Sequence, residues 1–580
     1  MIRATFAGFT TALSALEANQ KRLDVVGNNL ANMNTSGYTR QQLQVSSLNY
    51  SNPTDYYMNH SEVNVGYGAS MDTVSQLRDP FLDVQYRDQN SKTEYNKTVG
   101  NSLDALSQYL DETKLDGLRT SFDSIQTALT NMQDPAKVND PVYEGELRSR
   151  MSATATLFNN VASQISTART DELANITGAG SSENGAVEKI NTLLREIGEL
   201  NTSIYRNQMV GNQVLELQDQ RNLKIDELSS YIPVKVSYYN TDADRTSSTY
   251  GTKKIYHPDD MKLETSFTEI KSDGTSSVSF LTLVSGHDMY DGKKNYGSVK
   301  AVNPKNADAD PTAEAVSLVF TEPDKLGTAS VSTNNTAPAP GAATVRLSSG
   351  KAQASLDMLA SSDDSLHNGS TYRSYDYYLQ RLNTLANTWA TQMNALNKMG
   401  VTGDYTAKSS LSDGTKSIST IAADLADTAD TSCLLLVNRT DSSAQGITAA
   451  NIQVSSKWVA GVTHIGTSGD PKEGNSASDT ALNMLQFMLE PQKALGSKSY
   501  ADDMNNISTY LANDSYNNEN ALTTNKTVLG SIATSRDQIS GVSLDEEAAN
   551  MMTYVSSYNA AARLMTTLDS TLETLLGIGA

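Results

Sequence analysis

The amino-terminal segment that decides the fold reads FAGFTTALSALEANQKRLDVVGNNL at residues 6–30. Its larger apolar residues recur at alternating steps of three and four, which places them along one stripe of a helix. The core helix of an ordinary globular domain would show the same periodicity. However, the other faces carry alanines where charges are usual, so we expect contact on more than one side. The residues predicted to contact other helices or subunits are Phe6, Phe9, Leu13, Leu16, Leu23 and Leu30.

The carboxyl-terminal segment repeats this pattern. Ser543 and Glu546 have the spacing of a capping box, in which each side chain bonds the backbone amide of the other residue. We expect the helix that follows to run nearly to the end of the chain, and between Ala548 and Leu568 its only charge is Arg563. The contact residues predicted on this helix are Leu544, Met551, Val555, Tyr558, Met565, Leu568, Leu572 and Leu575.

The two ends also carry complementary charges. Residues 1–40 have four basic and two acidic groups, whereas residues 541–580 have one basic and five acidic groups. Neither helix can bury its apolar stripe alone, and closing a long loop costs little extra entropy because that cost grows logarithmically with length. We therefore predict a coiled-coil-like hairpin of the two terminal helices, whose remaining uncharged faces meet neighbouring subunits.

The composition excludes several kinds of partner. With 45 basic and 66 acidic residues the net charge is -21, which repels nucleic acids and anionic membranes. The sequence contains no apolar run of about 18 residues that could span a bilayer. The single cysteine, Cys433, cannot form an intrachain disulfide, and the amino terminus lacks the continuous apolar region of a cleaved secretory signal. We expect neither nucleic-acid binding nor membrane insertion.

The sequence offers no recognisable catalytic site. Its five histidines are scattered, and we find no zinc-protease helix motif, nucleophile elbow or glycine-rich phosphate loop. Residues 257–260 and 308–314 contain acidic side chains but lack the spacing of a metal-binding loop, so we interpret both as surface loops. We therefore predict a protein without enzymatic activity, cofactor or bound metal.

The interior of the chain predicts an α+β multidomain fold. Stripes at helical spacing begin at Leu115, Ala186 and Leu379, whereas two other stretches are rich in Thr, Ser and Gly and contain short runs typical of strands. The predicted units are a terminal helical assembly domain (1–75 with 536–580), a rod-like helical bundle (76–235 with 350–400 and 477–535), and β-rich outer inserts (236–349 and 401–476).

The segment after the first helix reads NNLANMNTSGYTRQ at residues 28–41 and has the chemistry of a helix stop. Asn side chains bond nearby backbone groups, and Gly37 permits the positive φ that commonly ends a helix. The segment resembles the N-x-x-N-x-x-T-x-G-Y sequence shared by flagellar rod, hook and hook-associated proteins. The residues that carry this resemblance are Asn29, Asn32, Asn34, Thr35, Gly37 and Tyr38.

Two further segments narrow the resemblance to the FlgK type of hook-associated protein. Residues 541–552, which read GVSLDEEAANMM, resemble the carboxyl end of that family. Asp219, Gln220 and Arg221 resemble its L-x-D-Q-R-D-x-L segment. The resemblance covers the two ends and the helices that flank them, and the interior stretches are not recognisable.

The resemblance implies a structural subunit that is secreted through the flagellar export channel and joins hook to filament at the hook–filament junction. The partners that it implies are further copies of the chain in a ring or helical layer, the hook protein, a second junction protein, and an export chaperone on the carboxyl-terminal helix. A flagellar hook or distal-rod subunit is the nearest alternative. An enzyme carried on a flagellar scaffold is a more distant one.

Overall fold

The structure is a computed structural model in which the helices and sheets surround two hydrophobic cores. It describes the chain except residues 1–5, 49–67, 111–116, 135, 139, 179–184, 239–260, 271–274, 286–293, 306–308, 314, 324–329, 333–343, 362–371, 403–416, 418–419, 422–423, 426–432, 467–477 and 579–580.

Helices make up most of the described chain. They are α1 (Phe6–Ala31), α2 (Pro80–Leu110), α3 (Leu118–Asn131), α4 (Pro141–Thr177), α5 (Ala186–Met209), α6 (Leu215–Ser229), α7 (Lys351–Leu359), α8 (Tyr375–Thr402), α9 (Ser456–Val459), α10 (Asp479–Leu489), α11 (Tyr500–Ser540) and α12 (Leu544–Ile578). A 3-10 turn lies at Lys493–Leu495. Each helix in the described ranges is too short or too polar to cross a membrane.

The strands are short and antiparallel. They are β1 (Gln41–Ser47), β2 (Ala69–Gln76), β3 (Val234–Tyr238), β4 (Met261–Ile270), β5 (Ser276–Ser285), β6 (Ser298–Val302), β7 (Ser317–Thr321), β8 (Ser330–Ser332), β9 (Thr344–Leu347), β10 (Leu436–Asn438) and β11 (Ile452–Val454). Strands β1 and β2 pair beside α1, and β10 pairs with β11. The order β3-β4-β5, with β9 also on β4, forms one larger sheet, and β6-β7-β8 forms another.

Local sequence explains where the two longest helices begin. The Asp140 carboxylate accepts from the Val142 N–H at 2.9 Å, and a proline occupies the first position of α4, where no intrahelical N–H bond is lost. The Ser499 hydroxyl accepts from the Asp502 N–H at 3.1 Å and caps α11. Gly178, with φ +76°, ends α4 in the left-handed conformation that glycine adopts without strain.

The first core is helical and lies among α2, α3, α4, α8, α10 and α11. At its centre the Phe122 ring centroid lies 5.3 Å from that of Trp389 and 5.6 Å from that of Tyr500. The stripes predicted on α3 and α8 face this core and the stripe on α5 faces the second core, so these three helices are confirmed. Leu115 lies outside the described residues.

The second core joins the sheets to helices. Phe267 of β4 packs on Phe320 of β7 with ring centroids 5.2 Å apart, and Ile197 of α5 belongs to the same cluster. The strands predicted between residues 236 and 349 are therefore present. Their sheets share a core with α5, α6 and α7 because each sheet has only one face to bury.

The described part of residues 401–476 differs from the predicted outer β-rich insert. Its strands are three residues each, and the apolar run at 434–437 is buried in the first, helical core. Asn394 of α8 accepts from the Leu435 N–H at 2.8 Å and donates to the Leu436 carbonyl at 2.6 Å. This segment docks on α8 because a run that is apolar on both faces needs cover on both sides.

Helices α2 and α11 form a long antiparallel pair whose seam is partly polar. The Gln89 amide donates to the Asn525 side-chain oxygen at 2.8 Å, and the Asn518 amide donates to the Asn96 carbonyl at 2.9 Å. These amides are buried, so their hydrogen bonds offset the cost of removing them from water. The pair leads from the first core towards the two ends of the chain.

Candidate functional site: the joint of the two termini

The two terminal helices pair antiparallel, which confirms the predicted hairpin. The Leu568 side chain lies 3.3 Å from the position that a Cβ would take at Gly8. The Arg22 guanidinium lies 5.3 Å from the centre of the Tyr554 ring. These two contacts are equally spaced along the two helices, so the pair keeps one register between them.

On α1 the most buried apolar positions are not those of the large stripe that the sequence emphasised. Ala12, Ala18 and Val26 are 1%, 3% and 3% exposed, whereas Leu13 is 47% exposed. At Gly8 the absence of a side chain lets Leu568 of α12 approach closely, whereas Leu13 stays largely uncovered in the single chain. Of the other predicted residues on α1, Phe9, Leu16, Leu23 and Leu30 are half-buried.

On α12 the predicted stripe divides in the same way. Leu544 and Val555 are 53% and 43% exposed. Met551, Tyr558, Met565, Leu568 and Leu572 are half-buried. The side chains of Phe6 and Leu575 lie outside the described residues. Contact of these residues with neighbouring subunits stays a prediction.

The segment after α1 folds back on the helix through Asn29. The Asn29 side-chain oxygen accepts from the Tyr38 hydroxyl at 2.9 Å and from the Gln41 N–H at 3.0 Å. Its amide nitrogen donates to the Gln41 carbonyl at 2.9 Å. Gly37 adopts φ +80°, and the Cβ that it lacks would lie 3.4 Å from Leu223. The predicted helix stop is confirmed.

Carboxylates surround the Tyr38 phenol. Burial makes the largest contribution to raising the pKa of Tyr38, and the negative charges of Glu216, Asp219 and Glu547 raise it further. The phenol therefore keeps its proton at neutral pH and can donate to Asn29.

Asp219 connects its own motif to Thr39 of the segment 28–41, which lies 180 positions away in sequence. One carboxylate oxygen accepts from the Thr39 N–H at 3.0 Å, and the other accepts from the Thr39 hydroxyl at 2.6 Å. The Arg78 guanidinium lies 3.7 Å away. Burial raises the pKa of the Asp219 carboxyl, although the bonds from Thr39 and the charge of Arg78 oppose this increase.

Arg40 connects the amino-terminal turn to the start of α12. Its Nε lies 2.7 Å from the buried carboxylate of Glu547, and its Nη1 lies 2.5 Å from the exposed carboxylate of Glu546. Its backbone N–H donates to the Ser540 carbonyl at 2.8 Å, and its carbonyl accepts from the Leu77 N–H at 2.8 Å. One residue therefore bonds to both chain segments that lead out of the terminal helices.

The capping box predicted at Ser543 is only half present. The Glu546 N–H lies 3.5 Å from the Ser543 hydroxyl, at the limit of a hydrogen bond. The Glu546 side chain binds Arg40 and does not reach back to Ser543, because a guanidinium is the stronger partner for a carboxylate. That half of the prediction is wrong.

The remaining motif residues have different positions. Asn32 donates to the Asn28 carbonyl at 3.0 Å, and buried Arg221 donates to the Asn201 side-chain oxygen at 2.8 Å. Asn34, Thr35 and Gln220 are exposed. The joint therefore brings Asn29, Tyr38 and Asp219 together and leaves the three exposed residues on its surface.

Gly37 provides a direct test of the backbone geometry at this joint. Gly37→Ala should destabilise the protein by about 1–2 kcal/mol, because a Cβ is strained at positive φ. Gly27 is the matched control, because it lies within α1 and a Cβ there would meet nothing within 4 Å. Gly27→Ala should stabilise by roughly 0.5–1 kcal/mol. Urea unfolding of both variants checks this, and equal shifts would contradict the role assigned to Gly37.

Sequence reasoning gave no role to the charged residues that hold the joint, among them Arg40, Arg78, Asp83 and Arg536. Partners such as Arg40 and Glu547 are 507 positions apart, so no local spacing identifies them. Arg40 lay within the segment 28–41 and Glu547 within the segment 541–552, and these two positions were the signals available.

The hydrogen bonds and ion pairs of the joint hold chain segments together. Within the part of the chain that the structure describes, no group of three or more His, Cys, Asp or Glu side chains is placed to hold a metal ion. Residues 257–260 lie outside the described residues, as do positions 308 and 314 of the second acidic loop.

The two ends define the class of protein. Residues 9–39 match the family described as "Flagella basal body rod protein", and residues 535–578 match "Flagellar basal body rod FlgEFG protein C-terminal". A chain whose terminal helices pair, and whose two ends both match these families, belongs to the class of flagellar structural proteins.

The interior identifies the family within that class. Residues 103–411, which are more than half of the chain, match the "Flagellar hook-associated protein FlgK helical domain". The chain therefore belongs to the FlgK family of flagellar hook-associated proteins, and the family predicted from the motifs is confirmed.

Similar proteins carry the same family name. "Flagellar hook-associated protein 1" of Bacillus subtilis is 27% identical over 580 residues, which are 99% of each chain. The protein of that name from Salmonella typhimurium is 28% identical over 39% of this chain and 38% of its own. The structure of the flagellar hook junction protein FlgK from Burkholderia pseudomallei aligns with a TM-score of 0.36 and 18% identity, over 55% of this chain and 44% of that one.

Proposed function

We propose that this protein is the structural subunit that joins the flagellar hook to the filament, and that it assembles through α1 and α12. The observation that carries the proposal is the pairing of the chain's two ends, because the pair leaves large apolar side chains uncovered. Leu13, Met552 and Leu564 are 47%, 67% and 49% exposed. Side chains of this size contribute roughly 1.5–3 kcal/mol each when they are buried.

The subunit contacts that we propose are the predicted residues of both helices. Leu13 and Val555 would pack on neighbouring copies in a ring or helical layer, and the half-buried members of each stripe would complete those contacts. The hook protein would adjoin this layer on one side and a second junction protein on the other. The names of the relatives support assembly with hook components, since they are called "Flagellar hook-associated protein 1".

Before assembly α12 would need protection from aggregation. We propose that an export chaperone covers its apolar surface and that the chain then leaves the cell through the flagellar export channel. The exposed Met552, Val555 and Leu564 support this step, because apolar residues in water promote association. We propose no enzymatic role, since the joint consists of hydrogen bonds and ion pairs that hold segments together.

Locating the protein on intact flagella tests the proposed position. Immunogold electron microscopy should show label in one short zone between hook and filament. Label along the whole hook would favour a hook subunit, and label at the base would favour a distal-rod subunit. Either result would overturn the proposal.

A further inference from the structure

The chain passes between the terminal helices and the helical core at two places in its described part. The first connection is residues 77–79, between β2 and α2, and the second is residues 541–543, between α11 and α12. Two short connections by themselves would allow the terminal helices to swing. Their orientation therefore depends on the groups that hold the two connections together.

Asp83 lies between these connections and bonds to an arginine from each. Its Oδ1 accepts from Nη2 of Arg78 at 3.2 Å, and Arg78 is part of the first connection. The same oxygen lies 3.0 Å from Nε of Arg536, near the end of α11 and next to the second connection. The Asp83 side chain is 8% exposed, so bulk water cannot readily replace either partner.

The ion pairs continue from Arg536 into α6. Nη2 of Arg536 lies 2.7 Å from Asp226, which also lies 2.7 Å from Nε of Arg87. With Asp219 beside Arg78, three carboxylates face three guanidinium groups. A buried network of balanced charge tolerates the loss of one member poorly, because the opposite charge is then left unpaired.

The backbone reinforces the same geometry. Arg40 accepts from Leu77 in the first connection and donates to Ser540 at the second, each at 2.8 Å. Thus the backbone of Arg40 and the carboxylate of Asp83 both lie between the two connections. The side chain of Asp83 is the member that can be altered without changing the backbone.

We propose that Asp83 is a positioning residue that fixes the orientation of the paired terminal helices relative to the helical core, by holding Arg78 and Arg536 together. Loss of its charge frees the two connections to move independently. Both hydrophobic cores persist, because the residues of this network belong to neither of them. The proposal concerns the geometry of a single chain and goes beyond the proposed position in the flagellum.

Asp83→Asn in the full-length chain tests the orientation directly. Spin labels would be attached at the exposed positions of Asn517→Cys in α11 and Ser556→Cys in α12. Both substitutions would be made together with Cys433→Ala, which removes the native thiol. Pulsed electron spin resonance should give one narrow distance distribution for the chain with Asp83 and a broad one for Asp83→Asn. Asp88→Asn is the matched control, since Asp88 is an exposed carboxylate on the same helix, and it should keep the narrow distribution.

Hydrogen exchange measures how far the two connections are loosened, and it distinguishes movement of the terminal helices from unfolding of the core. The amides of Arg40 and Leu77 should exchange about 10- to 100-fold faster in Asp83→Asn, while those of α4 keep their rates. Arg536→Gln should reproduce this pattern if Asp83→Asn folds poorly. An unchanged distance distribution in both variants, or a broad one already in the parent chain, would overturn the proposal. Neither result bears on where immunogold microscopy would locate the protein, so the two proposals fail separately.

Discussion

Deletion of residues 544–580 should leave cells with hooks that carry no filaments. The deletion removes α12, the helix that packs on α1 at Gly8 and Arg22, so the amino-terminal helix loses its partner. The two hydrophobic cores contain no residue of α12 and should remain folded. Electron microscopy would score the flagella, and circular dichroism of the purified chain would show that the cores persist. Filaments of normal length on the truncated protein would contradict the expected result.

Single substitutions on α12 separate its two faces. Leu568→Asp places a charge against Gly8 in the seam and should cost about 2 kcal/mol or more. Leu564→Asp is the control for pairing, because Leu564 is 49% exposed in the single chain. Hydrogen exchange should show α1 unprotected in Leu568→Asp and protected in Leu564→Asp. Loss of filaments in Leu564→Asp with α1 still protected would assign that face to subunit contact.

Asp219→Ala should strongly destabilise the joint. It removes the acceptor of both hydrogen bonds from Thr39, and bonds to charged groups contribute about 1.5–3 kcal/mol each. We therefore expect a loss of about 3 kcal/mol in the free energy of unfolding. Gln220→Ala is the matched control, since this neighbour is exposed and should change stability by less than about 0.5 kcal/mol. Similar urea midpoints for the two variants would exclude the role assigned to Asp219.

The pH dependence of the free energy of unfolding provides a second measure of the contribution of Asp219. Because burial raises the pKa of Asp219, the native chain holds its proton at a pH where the unfolded chain has released it. The contribution of Asp219 to stability therefore falls as the pH rises from the ordinary carboxyl pKa through the raised one. The difference between parent chain and Asp219→Ala should be larger at the acidic end of this interval.

Periodicity predicted the long helices and the pairing of the ends. The apolar stripes on α3, α5 and α8 were sufficient to predict these helices, because each stripe faces one core. The motif around Asn29 and Gly37 predicted the stop after α1, since Asn and Gly have local conformational preferences. These features depend on residues that are close in sequence.

Other features depend on residues that are far apart in sequence, and these features could not be predicted. The stripe rule chose Leu13 over Ala12, because it weighs side-chain size and cannot know how closely two helices approach. The capping-box spacing gave Glu546 a local partner, whereas Arg40 binds the same carboxylate from the other end of the chain. The run at 434–437 resembled an exposed insert because its cover comes from α8.

The hydrogen bonds of side-chain amides between α2 and α11 fix how the two helices are aligned along their length. An apolar seam can shift by one helical repeat and still bury similar surface, but a shift here would separate Gln89 from Asn525 and Asn96 from Asn518. Buried amides without partners are costly, so one alignment is strongly preferred. Every copy of the chain therefore sets its terminal joint at the same distance from the first, helical core.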